Sequence, residues 1–332
     1  MMTELTRFNW RAFDIYATLK VAIGLGIMLA LTTATGEPWL ATALVAMFAW
    51  LANIPGALHH RVGGMLAFGF CAAALTVVYG IIALSVPANV LVTAVVAFMA
   101  TAALGWGLRA FMVGFAVICW AIYGPLMVAS TSVQNCLQAV ALGTGIVILL
   151  NIIGDRLFPQ NKEGPAPQAA ESFDGPQPGF ILAYSVTVAA VLALATYLGW
   201  VQLTTDPSLI AGGAFFVIGF DTKKTWIAGL GRVLGLIGGV IVGISLAQLL
   251  GPGLPLTLLM IIACGASFGA GGVHPGAWMF FFMIFVAMGW PALDQEAASL
   301  TIGERFYGES VGIGLAMVAI VIMQWWQSRQ SK

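Results

Sequence analysis

The chain has 332 residues, of which 60% are hydrophobic and 8% charged, with a mean hydropathy of +0.97 and a formal net charge of zero. A soluble domain carries about a quarter of its residues charged, so the composition excludes one and describes a polytopic membrane protein. No basic face stands out, which argues against nucleic acid as a partner.

Residues 1–16 mix Arg7, Arg11, Glu4 and Asp14 with Phe8, Trp10, Phe13 and Tyr16, an amphipathic pattern suited to the membrane interface. No small-residue cleavage site follows a short apolar core, so the first span is expected to stay as an anchor. A hydrocarbon core of about 30 Å needs about 20 apolar residues in helix. On that ruler the expected spans are 17–34, 38–53, 62–83, 87–104, 108–129 and 133–153, then 180–200, 207–220, 228–250, 255–271, 275–292 and 306–327. Between the two sets, 154–179 is rich in Pro, Gly, Gln and charge and reads as a cytoplasmic linker. The fold class is therefore all-α and polytopic, with about twelve transmembrane helices in two six-helix blocks, 17–153 and 180–327, and a short tail at 328–332.

The blocks resemble one another. Glu37-Pro38-x-Leu40, an apolar run, a polar turn and Arg61-Val62-Gly63-Gly64 are echoed by Asp206-Pro207-x-Leu209, an apolar run, the polar turn Asp221–Lys224 and Arg232-Val233-Leu234-Gly235. Gly143 and Gly145 likewise match Gly312 and Gly314. Two motifs recurring in order imply an internal repeat, and an even number of spans makes the repeats parallel rather than inverted. Orientation follows from the basic residues. With both termini cytoplasmic, Arg7, Arg11, Lys20, Arg61, Arg109, Arg156, Lys162, Lys223, Lys224, Arg232, Arg329 and Lys332 face the cytoplasm and only Arg305 lies outside.

Small residues every four positions predict faces where helices approach closely: Gly231, Gly235, Gly239 and Gly243 in the ninth span, Ala22, Gly26, Ala30 and Ala34 in the first, and Gly63, Ala67 and Cys71 in the third. The second and eighth spans are short, which in paired halves points to a transporter's binding site or to tilted helices at the protein's edge.

Ionisable residues within spans are functional candidates. Arg61 and Arg232 each open a long helix, either snorkelling to headgroups or holding an anionic substrate around a shared inner vestibule. Lys20 lies a turn inside the first span, and Arg305 and Glu309 share a face at the start of the last, where Glu309 is the deepest carboxylate. Glu37 and Asp206 read as helix caps followed by proline, with proton carriage as the other reading. His274, in the turn before the eleventh span, reads as a solvated histidine or a proton carrier, and His59-His60 as loop. The four cysteines lack metal spacing and read as core residues, so no metal or cofactor is expected. Gly265-Ala266-Ser267-Phe268-Gly269 matches a nucleophile-elbow pattern, but that motif belongs in a strand-to-helix turn. No Walker or zinc-protease motif occurs, so an enzyme is not expected.

The duplicated six-helix halves, the short second helix, the polar turn and Arg-Val-Leu-Gly-x-x-Gly-Gly (Arg232 to Gly239) resemble the fusaric acid resistance and aromatic acid exporter superfamily, to which plant malate channels are related. Glu304-Arg305 followed by Gly312 and Gly314 is similar to that family's last membrane helix. The resemblance implies proton-driven efflux of small aromatic or other organic acids across a bacterial inner membrane. Its partners would be the lipid bilayer, a small organic anion, a periplasmic adaptor protein and further copies of the chain. Substrate contacts are expected at Arg61, Arg232, Lys20 and Arg305, and proton coupling at Glu309, Asp206, Glu37 and His274. An anion channel and a non-transporting accessory protein stay open as alternatives. Family members often carry a sizeable cytoplasmic domain after each block, where this sequence is expected to have only the 154–179 linker and a short tail.

Overall fold

The computed structural model describes residues 8–35, 39–53, 57–82, 85–157, 178–203, 206–218, 222–251, 253–289 and 295–330. All regular structure among them is helical. Twelve α-helices fall one to one on the expected spans: α1 Ile15–Thr35, α2 Trp39–Leu51, α3 Leu58–Ile82, α4 Val86–Ala102, α5 Leu108–Ser130, α6 Val133–Leu157, α7 Pro178–Gln202, α8 Leu209–Phe215, α9 Thr222–Leu250, α10 Leu254–Gly269, α11 Pro275–Gly289 and α12 Gln295–Gln330. Eight of the described helices are long and apolar enough to cross a membrane. Large apolar side chains such as Phe70, Ile81, Trp106 and Leu249 stand exposed, a surface costly in water and natural against lipid.

Several boundaries differ from hydropathy. The polar residues Thr222–Lys224 form the first turn of α9 instead of a loop, so Arg232 sits ten residues, about 15 Å, along its helix. Arg61, by contrast, lies in the first turn of α3. His59 and His60 belong to that same turn and are not loop residues. The last helix begins at Gln295, well before 306, because its polar first turns are good helix formers that a hydropathy window passes over. The 154–179 linker lies mostly outside the described residues.

The chain divides into two compact units, Ile27–Trp200 and Met1–Gly26 with Val201–Lys332. In the first unit α2 packs on α6, α3 on α5 and α6, and α4 on α5. Polar ties between helices help to hold it. Tyr79 donates its hydroxyl to the Ala121 carbonyl at 3.0 Å, and Trp120 donates its indole N–H to Thr76 Oγ1 at 3.1 Å, all fully buried. The anticipated small-residue face of α3 is not used: Gly63 and Ala67 are exposed, and a β-carbon at Gly63 would meet nothing within 4 Å. Gly64 makes the close approach instead, its missing β-carbon 2.8 Å from the Ala52 carbonyl oxygen.

In the second unit α8 packs on α12, α9 on α11 and α12, and α10 on α11. Here the glycine face of α9 is used throughout. β-carbons at Gly231 and Gly239 would lie 3.2 Å from Gly276 N and 2.7 Å from Met283 Cβ, and one at Gly235 would collide with the Gly276 carbonyl. The first half of α1 belongs to this unit. Gly265 of α10 abuts the Thr18 carbonyl and Ala22 of α1, although Gly26 faces open space. Ser267, inside α10, donates its hydroxyl to the Cys264 carbonyl at 2.7 Å, so the Gly-x-Ser-x-Gly match is a helix-packing element.

Gly143 in α6 and Gly312 in α12 both mark close approaches of helix backbones. A β-carbon at Gly143 of α6 would lie 2.8 Å from the Thr42 carbonyl of α2, and one at Gly312 of α12 would overlap the Ile210 carbonyl of α8, while Gly145 and Gly314 both face open space. Gly312→Ala should therefore cost about 1–3 kcal/mol through overpacking. Gly314→Ala should be neutral or gain up to about 1 kcal/mol of helix propensity. Thermal unfolding of the two purified variants, side by side, checks the contrast.

Candidate anion site

The second unit gathers buried charge at one place. Arg232, 3% exposed, projects from α9 and donates from Nη2 to Glu309 Oε2 of α12 at 2.9 Å, and Glu309 is 2% exposed. The guanidinium carbon lies 5.0 Å from the ring centroids of both Phe216 and Trp278. Cation–π attraction at such desolvated positions contributes about 2 kcal/mol. Arg232 Nε is buried and finds no acceptor among the described residues. The site thus holds a permanent cation with one carboxylate, two aromatic faces and a spare N–H donor, the chemistry that takes a planar carboxylate.

Backbone geometry explains why these groups meet. α8 has only seven residues, all buried, and its cap residue Phe216 brings a ring against Arg232. The helix lies close on α12 because each puts glycine at the contact. A β-carbon at Gly213 would sit 2.7 Å from the Glu309 carbonyl oxygen, and one at Gly308 would sit 2.7 Å from Leu209 Cβ. The glycine face of α9 sets α11 equally close, which places Trp278 over the guanidinium. Trp278 stacks in turn on Phe282 at 5.4 Å.

One turn from Glu309 on α12, Arg305 is 7% exposed and faces Asp206 across 3.7 Å. Asp206 does not cap α8 directly: the helix begins at Leu209, with Ser208 at the cap position. Its carboxylate instead accepts from the Ser208 N–H at 3.0 Å and from the Ser208 hydroxyl, an Asx turn two residues ahead of the helix.

His274 is buried, not solvated. Its Nδ1 accepts the Gly276 N–H at 3.0 Å, its ring packs on Phe8 at 4.7 Å, and its Nε2 has no partner among the described residues. Burial lowers its pKa below 6.5. The segment before α1 is fastened over this turn. Asn9 N–H donates to the Val273 carbonyl at 3.3 Å, Asp14 N–H to the Gly269 carbonyl at 3.0 Å, and Phe13 packs on Ala270, Val273 and Ala277.

Arg61 has a different environment. Nε donates to Asn53 at 2.9 Å, Nη1 to both oxygens of Asp155 at 2.8 Å, and Nη2 to Asn151 Oδ1. Asn53 and Asn151 are bonded to one another at 3.1 Å. All three guanidinium nitrogens are engaged within the first unit, which makes Arg61 an anchor between α3 and α6. Lys20 is half-buried on α1, and Glu37 lies outside the described residues.

Sequence reasoning named Arg232, Glu309, Arg305, Asp206 and His274 but missed Phe216, Trp278, Asn53, Asn151 and Asp155. Asn151 and Asp155, four apart near the end of α6, did carry a readable signal as a polar face on an apolar helix. Nothing local announces Phe216 or Trp278, which meet Arg232 only through the fold.

Two consequences are measurable. Asp155→Ala should lower stability by about 2–3 kcal/mol, since it strips a charge-assisted bond from a half-buried cation. Thermal unfolding against wild type reads it. For His274, the released segment takes up a proton before the seated one does, because burial disfavours the charge. The seated arrangement is then fully stable above the ordinary pKa of 6.5 and weakens as pH falls through the lowered value. Amide exchange at Asn9 and Asp14, corrected for intrinsic rates, should accelerate in mildly acidic buffer, and His274→Gln should remove that acceleration.

Residues 179–319 match the family described as fusaric acid resistance protein-like. No curated protein and no solved structure matches the chain. The matched stretch contains every member of the cluster around Arg232 except Phe8. On that match, the second half of this chain is similar to the fusaric acid resistance protein-like family.

Proposed function

We propose that this protein is a transporter of small organic anions, aromatic acids foremost, and that Arg232 receives the substrate carboxylate. The observation that carries the reading is the Arg232–Glu309 pair held between Phe216 and Trp278. Burying an ion pair contributes little to stability compared with an apolar core of the same volume, so stability alone is a poor reason for it. A resident carboxylate that an incoming one displaces is a functional reason. The incoming ring would lie against Phe216 and Trp278, replacing part of the guanidinium's aromatic contact with stacking of its own. Proton exchange is assigned to Glu309 or Asp206, and the family match supports reading the direction as export from a bacterial cytoplasm.

The organisation into two parallel repeats belongs to the same proposal. Its support is the recurrence of helix pairings six helices apart and the equivalent seats of Gly143 and Gly312. That glycine match is an offset of 312 − 143 = 169 residues, under which Glu309 falls on Val140 and Arg305 on Cys136, both buried and uncharged. Substrate chemistry is accordingly assigned to the second half alone, and Arg61 leaves the list of substrate contacts.

Benzoate is a suitable probe. Arg232→Gln should abolish its saturable binding to purified protein, and Glu309→Gln, which removes the competing charge but not the shape, should tighten it by about tenfold, or 1.4 kcal/mol. Concentrative benzoate movement in reconstituted vesicles that collapses with a protonophore supports a proton-coupled transporter. An ohmic benzoate current would replace it with a channel. Unchanged flux and binding in both variants would leave an accessory protein.

A further inference from the structure

Two ion pairs share α12 in the second unit: Arg305 with Asp206 ahead of α8, and, one turn on, Glu309 with Arg232 of α9. The two pairs are unequal. Glu309 and Arg232 are in hydrogen-bond contact at 2.9 Å with side chains 2% and 4% exposed, whereas Asp206 and Arg305 stand 3.7 Å apart with side chains 15% and 8% exposed. The latter separation exceeds the 2.7–2.9 Å or so of a charge-assisted hydrogen bond. Asp206 also has a second source of stabilisation, the Ser208 N–H and hydroxyl.

An anion arriving at Arg232 creates a problem of charge. Glu309, displaced from its partner and 2% exposed, would be left as an isolated buried carboxylate, a state costing several kcal/mol. It must either be neutralised by a proton or find another cation. Residues four apart on a helix face one another with β-carbons about 5–6 Å apart, and the residue four before Glu309 is Arg305. The other charged residues of α9 and α12 are Lys223 and Lys224, two turns before Arg232, Glu304 beside Arg305, Glu296 near the start of α12 and Arg329 in its last turn, and the titratable His274 packs against α9 at Gly231.

Resting on the anion-site reading above, we propose that Arg305 is the second partner of Glu309. When a substrate carboxylate takes Arg232, Glu309 swings one turn along α12 to Arg305, and Arg305 releases Asp206. The displaced negative charge thereby moves from a sealed position to the more exposed Asp206, where Ser208 holds it and solvent protons reach it. Proton exchange then occurs at Asp206, and Glu309 stays ionised throughout. Arg305 is a positioning residue in this scheme and need not touch the substrate.

The test is benzoate binding to full-length protein in lipid nanodiscs, across mildly acidic to mildly alkaline buffer. Arg305→Gln removes the second partner, so Glu309 must bind a proton to be displaced. Binding should fall about tenfold in alkaline buffer, recover towards wild type as pH falls, and be restored at alkaline pH by adding Glu309→Gln. Unchanged binding in Arg305→Gln overturns the relay, and so does a loss that is equal at every pH and not rescued by the second substitution. Should Arg305→Gln fail to fold, Asp206→Asn serves. It keeps an acceptor for Ser208 but frees Arg305 from its competitor, and benzoate should then bind more tightly. Equal or weaker binding overturns the proposal. Retention of benzoate binding in Arg232→Gln would instead sink the site itself, a failure separable from that of the relay.

Discussion

A guanidinium with almost no exposure inside a membrane bundle cannot remain without an opposite charge and polarisable walls, and the second unit is arranged to provide both for Arg232. Glu309 must lie opposite α9, so α12 has to pass close. That approach depends on bare backbone at Gly308 and Gly312 against α8. The aromatic walls come from the end of a truncated helix on one side and from α11, drawn in by the glycine face of α9, on the other. Charge, glycine pattern and helix length are here parts of one arrangement. None of them alone would bring the four groups together.

The two units solve the same packing problem with different chemistry. Lipid offers helices no hydrophobic reason to associate, so contact must come from close backbone approach or from hydrogen bonds between helices. The second unit relies mainly on the first device, with Gly231, Gly235, Gly239 and Gly243 against α11. The first unit, whose Gly64, Gly114 and Gly143 also make close approaches, adds the second device through Tyr79, Trp120 and the network joining Arg61, Asn53, Asn151 and Asp155. An arginine with all three nitrogens engaged has become part of the frame. One with a buried donor to spare has kept its chemistry.

How much of this could be read from the amino acids divides by range. Helix number, the short second and eighth elements and the close face of α9 are local periodicities, and they appeared where expected. The start of α9 did not, because Thr222–Lys224 are polar yet helical, and hydropathy locates the edge of the hydrocarbon and not the end of a helix. That error made Arg61 and Arg232 look equivalent when one lies in a first turn and the other in a third. His274 looked solvated because turns usually are. Its burial comes from Phe8, distant in sequence, folding back over the turn. Phe216 and Trp278 were invisible as neighbours for the same reason, since only tertiary contact distinguishes them from the chain's other aromatics.

The brevity of α8 bears on how the protein is made. Seven residues cannot hold a place in a bilayer by themselves, and the face that shelters them, around Gly308 and Gly312, lies about a hundred residues downstream. At about 5–20 residues per second, the ribosome needs on the order of ten seconds to deliver it. During that interval the segment lacks the helix it packs against most closely. The second half therefore cannot be laid down helix by helix as it leaves the insertion machinery. Its assembly includes a late step in which α12 closes over α8.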